Sequence, residues 1–318
     1  MNKTNRTKKI LIANIIGIIS VLAIIEIISF FTIIYRYYDV IQNGNVWDQW
    51  RHWFSFNHLE LIENKPENFA PASVYEGTED NSIVLLGCSY AFGAGLPQED
   101  KPSSQLAKYL KRTVYNKGIC GVGTSSALYI LSQDKIKKEI PKAKYFIYIF
   151  LIDHLRRNVV IMPNHIYNNF SAKYVLDKNN NLKFIKLNKL QYFLYSLYTY
   201  RLYEEGKRFK REENDYALFS AIIGKLSETI KTKYPGAELI ILFYDDNFDN
   251  SDTKNIKHNK KLDDICKKNK IKLIYTSDLK CGKDILNRKY LSYDKIHPSK
   301  EAWEHIIPEF TELAGIKK

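Results

Sequence analysis

The chain has 318 residues, room for one large domain or two small ones, and a formal net charge of +13. That charge suits an anionic partner such as an acidic glycan, a teichoic-type polymer or a lipid headgroup, although the abundance of Lys, Ile and Asn is also what a low-GC genome imposes on any protein. The four cysteines, Cys88, Cys120, Cys266 and Cys281, include no close pair with metal-ligand spacing, which argues against a zinc site.

Residues 1–9 carry Lys3, Arg6, Lys8 and Lys9 and read as a cytoplasmic tail. From Ile10 to Tyr35 the only polar interruptions are Asn14, Ser20, Glu26, Ser29 and Thr32. A helix of that length, rising about 1.5 Å per residue, can cross a hydrocarbon core about 30 Å thick. It is longer than a secretory apolar region of about 7–15 residues and no small-residue cleavage site follows it, so residues 10–35 are expected to be an uncleaved signal anchor. Glu26 is costly in hydrocarbon unless protonated, paired or interfacial. Basic residues before the span, and Arg36 and Arg51 offset by Asp39 and Asp48 after it, place the amino terminus inside and everything beyond residue 36 outside the cytoplasm. That topology separates the rest of the chain from nucleic acid.

Residues 36–80 read as a juxtamembrane linker. Trp47, Trp50, Trp53 and Phe54 suit an interfacial aromatic belt, and Pro66, Pro71 and Gly77 interrupt any regular element. From residue 81 strands and helices alternate. Strands are expected at Ile83–Leu86, Thr113–Tyr115, Tyr145–Leu151, Glu238–Phe243 and Ile271–Tyr275. Helices are expected at Ser104–Lys111, Thr124–Ile136, around Asn255–Lys268 and at Ala302–Leu313. Such alternation predicts an α/β domain over 81–318, with a parallel sheet covered on both faces. Residues 154–215 interrupt it as an insertion, with a β-hairpin at Ala172–Leu176 and Leu182–Ile185 and a Tyr-rich helix at Leu190–Phe209.

Three short blocks can carry chemistry. The run Ile83-Val84-Leu85-Leu86 stops at Gly87, and Ser89 follows Cys88 where a parallel strand delivers its carboxyl end. Asn116 to Thr124 holds Gly118, Gly121 and Gly123, whose backbone can turn N–H groups inward at a helix start. Phosphate cradling is its rival reading, but no Gly-Lys-Ser/Thr is present and no Gly-x-Gly-x-x-Gly opens a helix after the first strand. Tyr293-Asp294-Lys295-Ile296-His297-Pro298 places an acid three residues before an imidazole, so that the carboxylate can accept from Nδ1–H and leave Nε2 to take a Ser proton. A Cys88–Cys120 disulfide is chemically open outside the cytoplasm, with buried free thiols as the alternative. His52, His58, His165, His258 and His305 have no ligand-like spacing and no cofactor motif is present, so neither metal nor cofactor is expected.

In this order the blocks resemble those of the SGNH (GDSL-like) hydrolase family over about residues 81–313, the insertion excepted. The resemblance implies a flavodoxin-like three-layer sandwich, with Ser89 as nucleophile and one oxyanion donor, Gly121 as the second donor, and Asp294 and His297 as acid and base. Two departures stand out. Cys88 replaces the family's Asp, and Phe150-Leu151-Ile152-Asp153 stands where Gly-x-Asn-Asp is expected, so the third donor, an Asn amide, is absent at Ile152. His154, Arg156, Arg157 and Asn158 lie just downstream and are candidates to replace it, with simple pairing of Arg156 or Arg157 to a carboxylate as an equal alternative. The expected activity is a membrane-anchored, extracytoplasmic Ser esterase or O-acyltransferase acting on an acylated envelope carbohydrate or lipid. The alternatives are a lipase and a non-catalytic glycan-binding or assembly protein that keeps the fold.

Overall fold

A computed structural model describes residues 14–29, 81–159, 173–185, 212–245, 252–282, 290–292 and 297–318. The chain divides into two units, residues 1–61 with 187–211 and residues 62–186 with 212–318. In the first, the described part is one helix, α1 (residues 14–29), along which Ile16, Ile18, Ile19, Leu22 and Ile28 are exposed. Among the described residues no helix is long and apolar enough to cross a membrane. The remainder of the expected anchor, the linker over 36–80 and the helix expected at Leu190–Phe209 lie outside the described residues.

The second unit runs β1 (Ser82–Gly87), α2 (Ser89–Phe92), α3 (Pro102–Leu110), β2 (Val114–Gly118), α4 (Thr124–Ser132), α5 (Ile136–Glu139), β3 (Ala143–Phe150), α6 (Asp153–Val159), β4 (Lys173–Leu176), β5 (Leu182–Ile185), α7 (Glu212–Lys233), β6 (Glu238–Phe243), α8 (Asp252–Lys268), β7 (Lys272–Tyr275) and α9 (Lys300–Ala314). Five strands form a sheet in the order β2-β1-β3-β6-β7, every pair parallel. Gly87 stands opposite both Gly118 and Ile149, so the carboxyl ends of the three strands that precede the motif blocks reach one edge together. The order reverses direction between β1 and β3, the kind of switch point where open α/β sheets leave a crevice.

Strand residues alternate between two differently built cores. Ile83, Leu85, Ile147, Ile149, Ile240 and Leu242 pack with Leu106 and Leu110 of α3 and Trp303, Ile306 and Phe310 of α9. The opposite face is aromatic. Phe146 meets Tyr234 at 4.9 Å between ring centroids, and Phe150 meets Phe219 of α7 at 5.0 Å and Phe243 at 5.2 Å. Each such side chain, fully buried, contributes about 1.5–3 kcal/mol of transfer free energy, which makes the two faces the chief source of stability. The antiparallel β4–β5 hairpin matches the expected insertion hairpin and seats Phe184 against Tyr129 of α4 at 5.6 Å.

Two expectations need correction. The helix expected over Thr124–Ile136 ends at Ser132, and Gln133 turns to extended backbone before a separate short helix, α5. The Lys233 ammonium donates to the carbonyls of Ser132 and Gln133, satisfying acceptors that a continuing helix would have used. The helix α7 had no counterpart in the sequence reading, although it fills the aromatic face with Phe219, Ile222, Ile223 and Leu226.

Candidate active site

Gly87 ends β1 at φ +141°, and a Cβ there would come within 2.7 Å of the Ile149 carbonyl oxygen. Only a glycine makes that turn against β3 without displacing it. The chain passes through Cys88 and enters α2 at Ser89, whose N–H, at the first helical position, has no acceptor within the helix. Asn116 of β2 holds the far end of this short helix. Its amide donates to the carbonyls of Ala91 (3.0 Å) and Phe92 (3.3 Å) and to the Ser103 hydroxyl (3.1 Å), while its carbonyl accepts from the Gly118 N–H at 2.9 Å.

His297 arrives from the other end of the domain. Residues 290–292 and 297–299 pair through an antiparallel bridge between Leu291 and Pro298, in which the Ser292 N–H donates to the His297 carbonyl at 2.7 Å. Ser299 then caps α9 by accepting from the Ala302 N–H. Across 208 residues of sequence, His297 Nε2 lies 2.7 Å from Ser89 Oγ, and both residues are buried. With the ring proton on Nδ1, Nε2 accepts from the Ser hydroxyl and is placed to remove its proton. The Tyr90 ring stands edge-on to the imidazole at 5.2 Å and to Tyr244 at 5.1 Å, which limits tilting of the base. Neither tyrosine carried a signal in the sequence, because their role follows from a meeting of α2, β6 and the segment before α9.

Of the other expected residues, Gly121 lies in the turn after β2 with φ +75°, a left-handed conformation that glycine adopts without strain. Asp294 lies outside the described residues. All four cysteines are free thiols, Cys88 and Cys266 buried. Burial pushes the Cys266 thiol up to about 12, so it stays protonated and inert.

The turn after β3 exposes the Ile152 side chain and leads into α6, whose described candidates do different things. His154 is fully buried with Nδ1 2.7 Å from the Tyr148 hydroxyl, which also donates to Thr124 Oγ1 at 3.0 Å. Burial, aided by the nearby Arg157 charge, holds the His154 pKa well below the ordinary imidazole value, and burial likewise raises that of Tyr148, so both stay neutral. The Asn158 carbonyl accepts from the Ser125 N–H (2.9 Å) and hydroxyl (3.1 Å), capping α4 from a neighbouring helix. Arg157 Nε donates to Asp153 Oδ2 at 2.7 Å, its Nη1 donates to the Val122 carbonyl at 3.4 Å, and its guanidinium stands against the Cys88 sulfur. Burial alone would lower the Arg157 pKa, but Cys88 and Asp153 beside it raise it above the ordinary value, so the cation persists.

No family model and no curated protein matches the chain. Among solved structures it is similar to the lipase Lip_vut3 from a goat rumen metagenome, at 17% identity and a TM-score of 0.44 over 73% of this chain and 97% of that one. It is also similar to the psychrotrophic esterase EstA from Pseudoalteromonas sp., at 13% identity and a TM-score of 0.44 over 74% of this chain and 97% of that one. A member of the lipolytic protein G-D-S-L family from Veillonella parvula is similar at 11% identity and a TM-score of 0.43 over 74% of this chain and 98% of that one.

Proposed function

We infer that the chain is an SGNH-type serine esterase or O-acyltransferase, and the observation that carries the reading is the 2.7 Å approach of His297 Nε2 to Ser89 Oγ at the switch point of the sheet. Ser89 Oγ forms a bond to the ester carbonyl carbon as His297 takes the hydroxyl proton. The carbonyl electron pair moves to oxygen, where the Ser89 and Gly121 N–H groups are assigned as donors. Collapse breaks the bond to the alkoxy oxygen, which leaves with the proton from His297. Water or a sugar hydroxyl then repeats the sequence on the acyl-serine, giving hydrolysis or transfer with the same groups. Asp294 is assigned as the carboxylate that orients the imidazole.

The substrate class assigned is an O-acetylated envelope carbohydrate, supported by the net charge of +13, which suits an acidic glycan. Anchoring through residues 10–35, with the domain outside the cytoplasm, is part of the proposal. Its support is the apolar run, the basic residues before it and the exposed isoleucines of α1. A non-catalytic binding protein is the second reading, favoured by the absence of an amide at Ile152.

An alkyl fluorophosphonate probe tests the central claim on the full chain in detergent. Wild type is expected to be labelled covalently, and Ser89→Ala to show no labelling and at least about a 10³-fold loss of p-nitrophenyl acetate hydrolysis. A folded wild-type protein that takes up no probe would sink the esterase reading and leave the binding protein.

A further inference from the structure

The esterase reading leaves one place unfilled, since Ile152 offers no hydrogen to a developing oxyanion and its side chain is exposed. Resting on that reading, we propose that Arg157 replaces the missing amide as a positioning residue: its guanidinium supplies positive charge to the oxyanion side of the site and holds the turn that follows Gly121.

The argument is one of placement. Arg157 touches all three turns that leave the carboxyl edge of the sheet. It stands against Cys88, the residue before the nucleophile, and Cys88 Sγ lies 3.9 Å from Ser89 Oγ. Its Nη1 donates to the carbonyl of Val122, the residue after Gly121, and so restrains the turn just beyond the second donor. Its Nε is held by Asp153, the residue after Ile152. A fixed bond to a carboxylate one helical turn away keeps the long side chain in a single geometry, as preorganised electrostatic assistance requires.

Competing assignments on α6 are weaker. His154 Nδ1 is engaged with Tyr148 and the Asn158 carbonyl with the start of α4, while His154 Nε2 and the Asn158 amide nitrogen, which bond to nothing among the described residues, are enclosed away from the surface that a substrate reaches. Asp153 does not cancel the cation at the site, because its side chain is 31% exposed against 18% for Arg157, so water screens the carboxylate more than the guanidinium. A unit charge acting through space on the reacting oxygen, screened by an effective dielectric of about 20, corresponds to roughly 10–100-fold in rate. That falls below the roughly 10²–10³-fold of a direct oxyanion-hole donor.

The test compares Arg157→Lys, Arg157→Gln and Arg157→Met in the full chain, with p-nitrophenyl acetate as substrate and thermal unfolding as control. Lys, which keeps the charge, is expected to retain kcat within about 5-fold. Gln and Met are expected to lose roughly 10–100-fold in kcat while KM stays within about 3-fold. Three results would each overturn the proposal: wild-type kcat in Arg157→Gln, a loss in Arg157→Lys as deep as in Arg157→Met, or losses that follow the melting temperature or fall on KM. Failure of the wild type itself to hydrolyse the ester or take the fluorophosphonate is a different outcome. It overturns the esterase reading, and this inference with it, whereas an active wild type with indifferent Arg157 variants overturns this inference alone.

Discussion

The turns after β1 and β3 leave adjacent parallel strands at the same edge of the sheet, yet they reach their geometry by opposite means. After β1 the backbone does the work: Gly87 adopts φ +141° in a space that excludes a Cβ, and Ser89 is delivered within the next two residues. After β3 side chains do it: Asp153, His154, Arg157 and Asn158 each bond to a different neighbour, and Ile152, where an amide donor was expected, is exposed. A turn determined by sterics tolerates no substitution but requires little around it. One determined by a polar network can exchange members, provided that each buried group keeps a partner.

The largest effect that would break this contrast lies at Gly87. Gly87→Ala puts a methyl group 2.7 Å from the Ile149 oxygen at a backbone angle that side chains avoid. It is expected to cost about 2–4 kcal/mol and to lower the thermal midpoint by roughly 5–15 °C. A midpoint unchanged within 2 °C, on the order of measurement error for such domains, would show that the turn is not sterically determined.

Acid should act on the other turn first. His154 is neutral when folded, with a pKa held well below 6.5 by burial, and it binds a proton in the unfolded chain once the pH falls below that value. The unfolded state then holds more protons, so the contribution is fully present above pH 6.5 and declines below it toward the folded pKa. Chemical unfolding between pH 6.5 and 5 is expected to lose stability at up to about 1.4 kcal/mol per pH unit, and His154→Phe to flatten that slope. An equal slope in the variant would assign the acid sensitivity to other groups.

The smallest effect sharpens the comparison. If α6 already serves the oxyanion side, Ile152→Asn should raise kcat by less than about 10-fold, short of the roughly 10²–10³-fold that a direct donor contributes. A gain of that larger size, measured on p-nitrophenyl acetate, would mean that the place at Ile152 is functionally empty.

How much of this was legible in the sequence follows the same division. The β1, β3 and β6 runs were readable because strands buried on both faces are continuously apolar, and Glu238–Phe243 was bounded as found. Ser89 and His297 were readable because their motifs are local, although the 2.7 Å contact between them is not. The helix α7 was overlooked despite a usable signal, the helical spacing of Phe219, Ile222, Ile223, Leu226 and Ile230. Which of the residues after Ile152 faces the site could not be read at all. Arg157 has its role only because Cys88, Val122 and Asp153, distant along the chain, are brought together by the order of three strands.

The bridge between Leu291 and Pro298 has a consequence for the life of the chain. On the proposed reading the nucleophile follows the first strand of the domain and its base lies in the last turn before the final helix, so a growing chain exposes Ser89 long before anything can activate it. The 2.7 Å contact that would activate it forms only when the closing segment docks. The proposed activity would therefore carry its own completion check, an ester-reactive serine reporting that the domain has been finished.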